Sequence, residues 1–202
     1  MSAAKLKTRI KCLHSSVLAE KGFVLDRARI PERRLSGLRQ GIEFQPGTGH
    51  LAGKFTLNVY WSFLDSLDDG NAMSASKRVG DLAGGTDSWF SQEDDAIDSA
   101  FQAVERLMEQ RILPYLDRYD TLSKIVDACS SGELSEIDAF GVDVGWRRFY
   151  QGFCHLQLGH TAVAVEHFVR VVDLHSSAPY EWVQRRKRSA VDYLRQLGVE
   201  GR

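Results

Sequence analysis

Four histidines crowd the last quarter of this 202-residue chain: His155, His160, His167 and His175, with Cys154 beside the first. Imidazole and thiolate are ligands of transition-metal sites, and a thiol facing an imidazole is the pair of a cysteine nucleophile. Metal ligands must converge on one point, commonly at i, i+4 on a helix or as CxxC pairs. Here the spacings are five, seven and eight residues, spread over two expected helices and the turn joining them. The sequence therefore predicts neither a metal site nor a cofactor. His175 is expected at a helix end, where the dipole favours imidazolium. Cys154, set among apolar helical residues, reads as a packed and unreactive thiol.

Other stretches hold chemistry-bearing residues in patterns that fall short of a site. Gly47 to His50 is turn chemistry and lacks the Lys-Ser/Thr and helix start of a phosphate cradle. The run Asp65 to Asn71 has the acids of a calcium loop without its alternating ligands or its twelfth-position glutamate. No GxSxG, P-loop or GxGxxG is present. Arg185, Arg186, Lys187 and Arg188, with Lys5 to Lys11 and Arg33-Arg34, are the groups that phosphates would meet. Four consecutive residues on a helix point all around it and form no stripe, so nucleic acid is not the expected partner. The four tryptophans read mostly as core anchors. Trp89 is the exception, in a glycine-rich, acid-flanked segment before a helix.

Charge is balanced overall, 26 Lys and Arg against 27 Asp and Glu, but it is unevenly placed. Residues 1–40 carry ten basic and three acidic residues, and residues 65–109 carry three basic and eleven acidic ones. Three widely spaced cysteines, Cys12, Cys129 and Cys154, suit reduced thiols of a cytoplasmic protein. No run of 18 apolar residues would span a membrane.

The elements that must position these residues change character along the chain. Leu6, Ile10, Leu13, Val17 and Leu18 make the buried stripe of a first helix, stopped by Gly22. Phe23 to Ile30 predicts a strand ended by Pro31, and Leu35 to Phe44 a second. Lys54 to Phe63 alternates most clearly, with Phe55, Leu57, Val59, Trp61 and Phe63 on one face. Asp65 to Ala75 reads as a polar loop and Ser76 to Leu82 as a returning strand. Ser91 is expected to cap a long helix, its stripe Ile97, Phe101, Val104, Met108 and Ile112, ended or kinked by Pro114. After Thr121 strand signals vanish. Helices are expected at 122–129, 133–140, 144–158, 162–174 and 180–197. The fold class is thus α+β: an antiparallel sheet of about four strands packed by two amphipathic helices, then an all-helical part. The domains are 1–125 and 126–202.

Two resemblances follow. Lys21-Gly22-Phe23, Gly41 to Gln45, Lys54 to Val59, Arg78 to Leu82 with Trp89-Phe90, and Leu113 to Leu116 occur in the order seen in the bacterial domain-of-unknown-function family 4304. That stretch, residues 6–120, resembles the family, apart from Trp61-Ser62 where the family has Leu-Gly. The resemblance implies a small bacterial accessory protein without established catalytic residues, of the immunity type that neutralises a toxin by occlusion. Gly152, Leu158-Gly159, Ala164, Glu166, Phe168 and Leu174 are similar in spacing to one tetratricopeptide helix pair over residues 146–179, in which small residues allow close crossing while Phe168 and Leu174 fill the groove.

The functional expectation is a non-enzymatic, cytoplasmic protein-binding module. Its partner-binding residues are Asp65, Asp68, Asp69, Trp89, Asp94 and Asp95, where acids would steer a basic partner and Trp89 would anchor it. The alternatives are an enzyme with Asn58, Tyr60, Arg78 and Asp81 in a cleft between sheet and helical part, and a nucleic-acid-associated factor using the basic termini.

Overall fold

A computed structural model describes residues 3–27, 29–64, 75–85, 87–177 and 179–199. Two compact units divide the chain: residues 1–61 with 76–119, and residues 62–75 with 120–202. The polar segment 65–74, with Asp65, Asp68 and Asp69, lies outside the described residues.

The first unit opens with α1, Ala3–Leu13, which runs through a π-helical turn, His14–Leu18, and a 3-10 turn, Ala19–Lys21. Leu6, Ile10, Leu13, Val17 and Leu18 are all buried. Gly22 closes the helix at φ 78°, a left-handed stop that costs a side chain its Cβ clearance and glycine nothing.

The antiparallel sheet contains β1 (Val24–Arg27), β2 (Ile30–Leu35), β3 (Leu38–Pro46), β4 (Lys54–Phe63), β5 (Ala75–Arg78) and β6 (Phe90–Ser91). The spatial order is β1-β2-β3-β4-β5, with β6 also on β4. This is more than the four strands expected, because a hairpin turn makes β2 separate and Phe90–Ser91 adds β6, and three boundaries also shift. Pro31 lies inside β2 instead of ending β1, beside an irregular β1–β2 register where a missing N–H breaks no regular ladder. Ser36-Gly37 is a two-residue hairpin turn, Gly37 at φ 72°, so Leu35 pairs with Leu38 from the preceding strand. The returning strand stops at Arg78, because Val79–Leu82, with strand-poor Gly80 and Asp81, forms the short helix α2.

Ser91 does not cap the long helix. It pairs with Lys54 in the sheet, while Gln92 donates from its backbone to Gly53 O at 2.8 Å. Its Oγ accepts from the Glu93 N–H at 3.1 Å, which closes a turn. The helix α3 begins later, at Ile97–Leu107, and continues through a π-helical turn, Met108–Ile112, into α4, Leu113–Arg118. Pro114 therefore neither ends nor breaks the run. It sits in the first turn of α4, just past the wider π turn, where its missing N–H is least needed.

α1 and α3 cover the apolar face of the sheet. Phe101 stacks on Phe44 (6.1 Å, 2°) and tilts against Phe55 (5.4 Å) in a core with Ile97, Leu57 and Val59. The opposite face of β4 is not open to water either, for Thr56, Tyr60 and Ser62 are also buried. Beneath α4, Gln40 donates to Leu116 O and Tyr119 O at 2.8 Å each and accepts from Arg33 Nε at 2.9 Å. Arg33 lies 4.9 Å over the Phe23 ring and reaches Asp117 at 2.7 Å.

The second unit is helical: α5 (Leu122–Ser130), α6 (Glu136–Phe140), α7 (Val144–Gln157), α8 (Thr161–Leu174) and α9 (Glu181–Gln196). Thr121, Ser135 and Asp143 accept from the third N–H beyond them and cap α5, α6 and α7. The Ser135 cap explains why α6 starts after, not at, Glu133. Phe63, the last residue of β4, belongs with this unit and stacks on Phe140 (5.7 Å) and Tyr150 (5.1 Å). α7 and α8 cross at Gly152, where a Cβ would lie 2.9 Å from the Phe168 ring. Phe168 fills that groove with Phe149 and Tyr193, but Leu174 does not; it is 48% exposed at the end of α8. No described helix is long and apolar enough to cross a membrane.

Candidate functional site

Of the expected acidic patch, Asp94 and Trp89 are engaged within the protein. Lys5 Nζ donates to the Asp94 carbonyl at 2.8 Å and pairs with its carboxylate at 3.2 Å. Arg9 pairs with Asp98. Trp89 is half-buried, donates from Nε1 to Asp87 at 3.2 Å and carries Arg78 over its ring at 5.6 Å, while Arg78 itself pairs with Asp87 at 2.7 Å. Asp95 is exposed.

Two members of the alternative catalytic set, Asn58 and Tyr60, share one face of β4. Asn58 donates to Glu43 and Gln45, each at 2.9 Å, and Tyr60 donates to Glu32, on the polar side of the sheet. Burial and then Glu32 push the Tyr60 phenol well above its ordinary pKa, so it stays a donor. Arg78 shares none of these partners, and Asp81 is exposed. Gly41 leaves the space that the Tyr60 ring occupies: a Cβ there would meet it at 2.3 Å.

The most organised polar centre is one that sequence reasoning missed, at the end of the helical unit where α7 begins, α8 ends and α9 begins. Arg186 is wholly buried. Its guanidinium lies 3.7 Å from the centre of the Trp146 ring and 5.1 Å from that of Trp182. Nη1 pairs with Asp143 at 2.8 Å and approaches His175 Nε2 at 3.4 Å. Asp143 does two jobs, because its Oδ1 also caps α7 by accepting from the Trp146 N–H at 2.8 Å. Gly145 is required for this closeness: a Cβ would stand 2.2 Å from His175 Nε2 and 2.7 Å from Arg186 Nη1. Burial, then the adjacent Arg186 charge, lowers the His175 pKa. The imidazolium expected from the helix dipole is thus disfavoured, because burial, and then the neighbouring guanidinium, outweigh a helix end.

Around this centre large apolar side chains face water. Val142 and Val144 flank Asp143 at 82% and 44% exposure, and Leu174, next to His175, joins them. Tyr180 (62%) and Trp182 (49%) stack on each other at 6.3 Å. Trp182 is therefore not a core anchor. The available signal was its four-residue spacing from Arg186, on a helix face whose next members, Ser189 and Tyr193, keep it from reading as apolar.

Three of the histidines do come together. His160 folds back because its N–H donates to His155 O at 2.8 Å through a turn with Gly159 at φ 78°. His155 Nδ1 lies 3.2 Å from His160 Nδ1, and the His155 ring stacks on His167 at 5.6 Å and 8°. Burial, then Arg148 and His155, lower the His167 pKa to about 4. Even so, among the described residues no group of three or more His, Cys, Asp or Glu side chains is placed to hold one metal ion. Cys154 is fully buried, and burial pushes its thiol pKa well up, as befits a packed, unreactive group.

These features define a mixed α and β protein whose helical unit carries exposed aromatic side chains at one end. No family model, curated protein or solved structure matches the chain.

Proposed function

We propose that this is a non-enzymatic, cytoplasmic protein-binding module that docks its partner on the aromatic end of the helical unit. The observation that supports the reading is the ring of exposed Val142, Val144, Leu174, Tyr180 and Trp182 around the buried Arg186. Isolated exposed apolar residues are ordinary, but several together mark an interaction surface. Binding hot spots favour tryptophan and tyrosine held in place before the partner arrives, because little side-chain entropy is then lost on docking. Arg186, fixed by Asp143 and stacked under Trp182, supplies that rigidity.

The toxin-neutralising role implied by the family resemblance fits the same reading, with occlusion from this end in place of the acidic segment. Asp94 and Asp98 already have Lys5 and Arg9 as counter-charges, which weakens their pull on an outside partner. A photo-crosslinking amino acid placed at 182, and separately at 95, in the full chain tests the choice in the native host. The reading expects a protein adduct from position 182. An adduct from position 95 alone would overturn it.

A second reading has support from one observation: the stacked Tyr180 and Trp182 precede Arg185, Lys187 and Arg188, a grouping that suits single-stranded nucleic acid. Three exposed aliphatic side chains in the same ring favour protein, since bases and phosphates give them little to bury against. Salt-sensitive binding of a thymidine oligonucleotide that disappears with Trp182→Ala would decide for nucleic acid.

A further inference from the structure

We propose that His155 and His160 form a two-imidazole clip for a divalent transition-metal ion of the zinc and nickel class, tying the end of α7 to the start of α8. The inference stands apart from the docking reading, since it concerns the opposite end of the α7–α8 hairpin.

The geometry is close to that of coordination before an ion arrives. A metal bound at about 2.0–2.1 Å by two imidazole nitrogens in neighbouring positions holds those nitrogens roughly 3–3.4 Å apart. The two Nδ1 atoms are 3.2 Å apart. The backbone brings the two residues together, because the His160 N–H bonded to His155 O closes the turn, with left-handed Gly159 just before it. His155 has one face fixed by the parallel His167 ring. Gly152 keeps α8 close, since a Cβ there would lie 3.2 Å from His167 Cβ. His160 is exposed, which leaves the ion a path in and leaves one ring free to turn its lone pair towards it.

The chemistry balances simply. In the metal-free pair one Nδ1–H donates to the other Nδ1. On binding, that proton moves to Nε2 of its own ring, the other neutral tautomer, and both Nδ1 lone pairs become donors to the ion. No net proton is lost and no redox step occurs. Water fills the remaining positions, as befits a pair and not a closed three- or four-ligand cage. A purely imidazole donor set favours zinc and nickel over magnesium and calcium, which take oxygen ligands.

The test uses the full, tag-free chain stripped with EDTA, its thermal unfolding followed with zinc chloride, nickel chloride or magnesium chloride. Zinc and nickel are expected to raise the midpoint by about 3–6 °C at saturating concentration, and magnesium to leave it unchanged. His160→Ala, on an exposed turn, should keep the metal-free midpoint and lose at least about tenfold in affinity for either ion. His50→Ala, an exposed histidine elsewhere, should behave as the native chain. Zinc should also shift the imidazole NMR signals of His155 and His160 before those of His50. No midpoint shift with zinc or nickel would overturn the proposal, as would an equal shift in His160→Ala.

Discussion

Each unit buries one arginine against an aromatic ring and pairs it with a partly exposed aspartate. Arg33 lies over Phe23 and pairs with Asp117; Arg186 lies over Trp146 and pairs with Asp143. Their surroundings differ. Around Arg33 the neighbours Phe23, Gln40, Leu116 and Tyr119 are buried, and Gln40 donates to two carbonyls of α4 and its end. Around Arg186 the Trp146 ring is half-buried, and Val142, Val144, Leu174, Tyr180 and Trp182 at the same end of the helical unit are turned to water. The first arginine seals a core. The second lies beneath an exposed surface and meets Trp182, which stacks on Tyr180.

Phe101→Ala removes the ring that joins Phe44 and Phe55 and should cost about 4 kcal/mol, read as a shift of the urea midpoint. Asp143→Ala strips a buried guanidinium of its ion pair and α7 of its cap. Because the Asp143 side chain is 41% exposed, about 3 kcal/mol is expected, the low end for breaking such a pair. Gly145→Ala forces His175 and Arg186 apart and should cost about 2 kcal/mol, with a changed Trp182 fluorescence, because the prop under that ring has moved.

A pH titration sharpens the same contrast. The His175 pKa is lowered in the folded protein relative to an ordinary value near 6.5, so the native state binds that proton less readily than the unfolded chain. The contribution is fully present above about pH 6.5 and is lost as pH falls below it. Native protein should therefore lose stability as pH falls below about 6.5, and His175→Gln should make that loss shallower, with the lowered His155 and His167 still contributing theirs.

Much of the sheet unit was legible because its signals are periodic. The stripe Leu6 to Leu18 and the alternation Phe55 to Phe63 both name buried residues, and no packing detail is needed to see them. What escaped were boundaries decided by single tertiary contacts. Ser91 has the chemistry of a cap but is claimed by β4, and Pro114 has the chemistry of a stop but falls where a π turn absorbs it. The aromatic end was illegible for a deeper reason. Its centre is an arginine occupying a core position, and it gathers Asp143, Trp146, His175 and Trp182 from three helices. The His155–His160 contact was hidden likewise, because a five-residue spacing fits no helix face and needed the turn at Gly159 to close.

The central claim is that Tyr180 and Trp182 serve a partner and not the fold. The direct measurement is one preparation of Tyr180→Ser/Trp182→Ser, assayed for thermal unfolding and for recovery of the protein partner crosslinked at position 182 in the native chain. The account predicts a midpoint within a few degrees of native and no partner. Undiminished partner recovery, or a collapse of the midpoint comparable to that of Phe101→Ala, would contradict it.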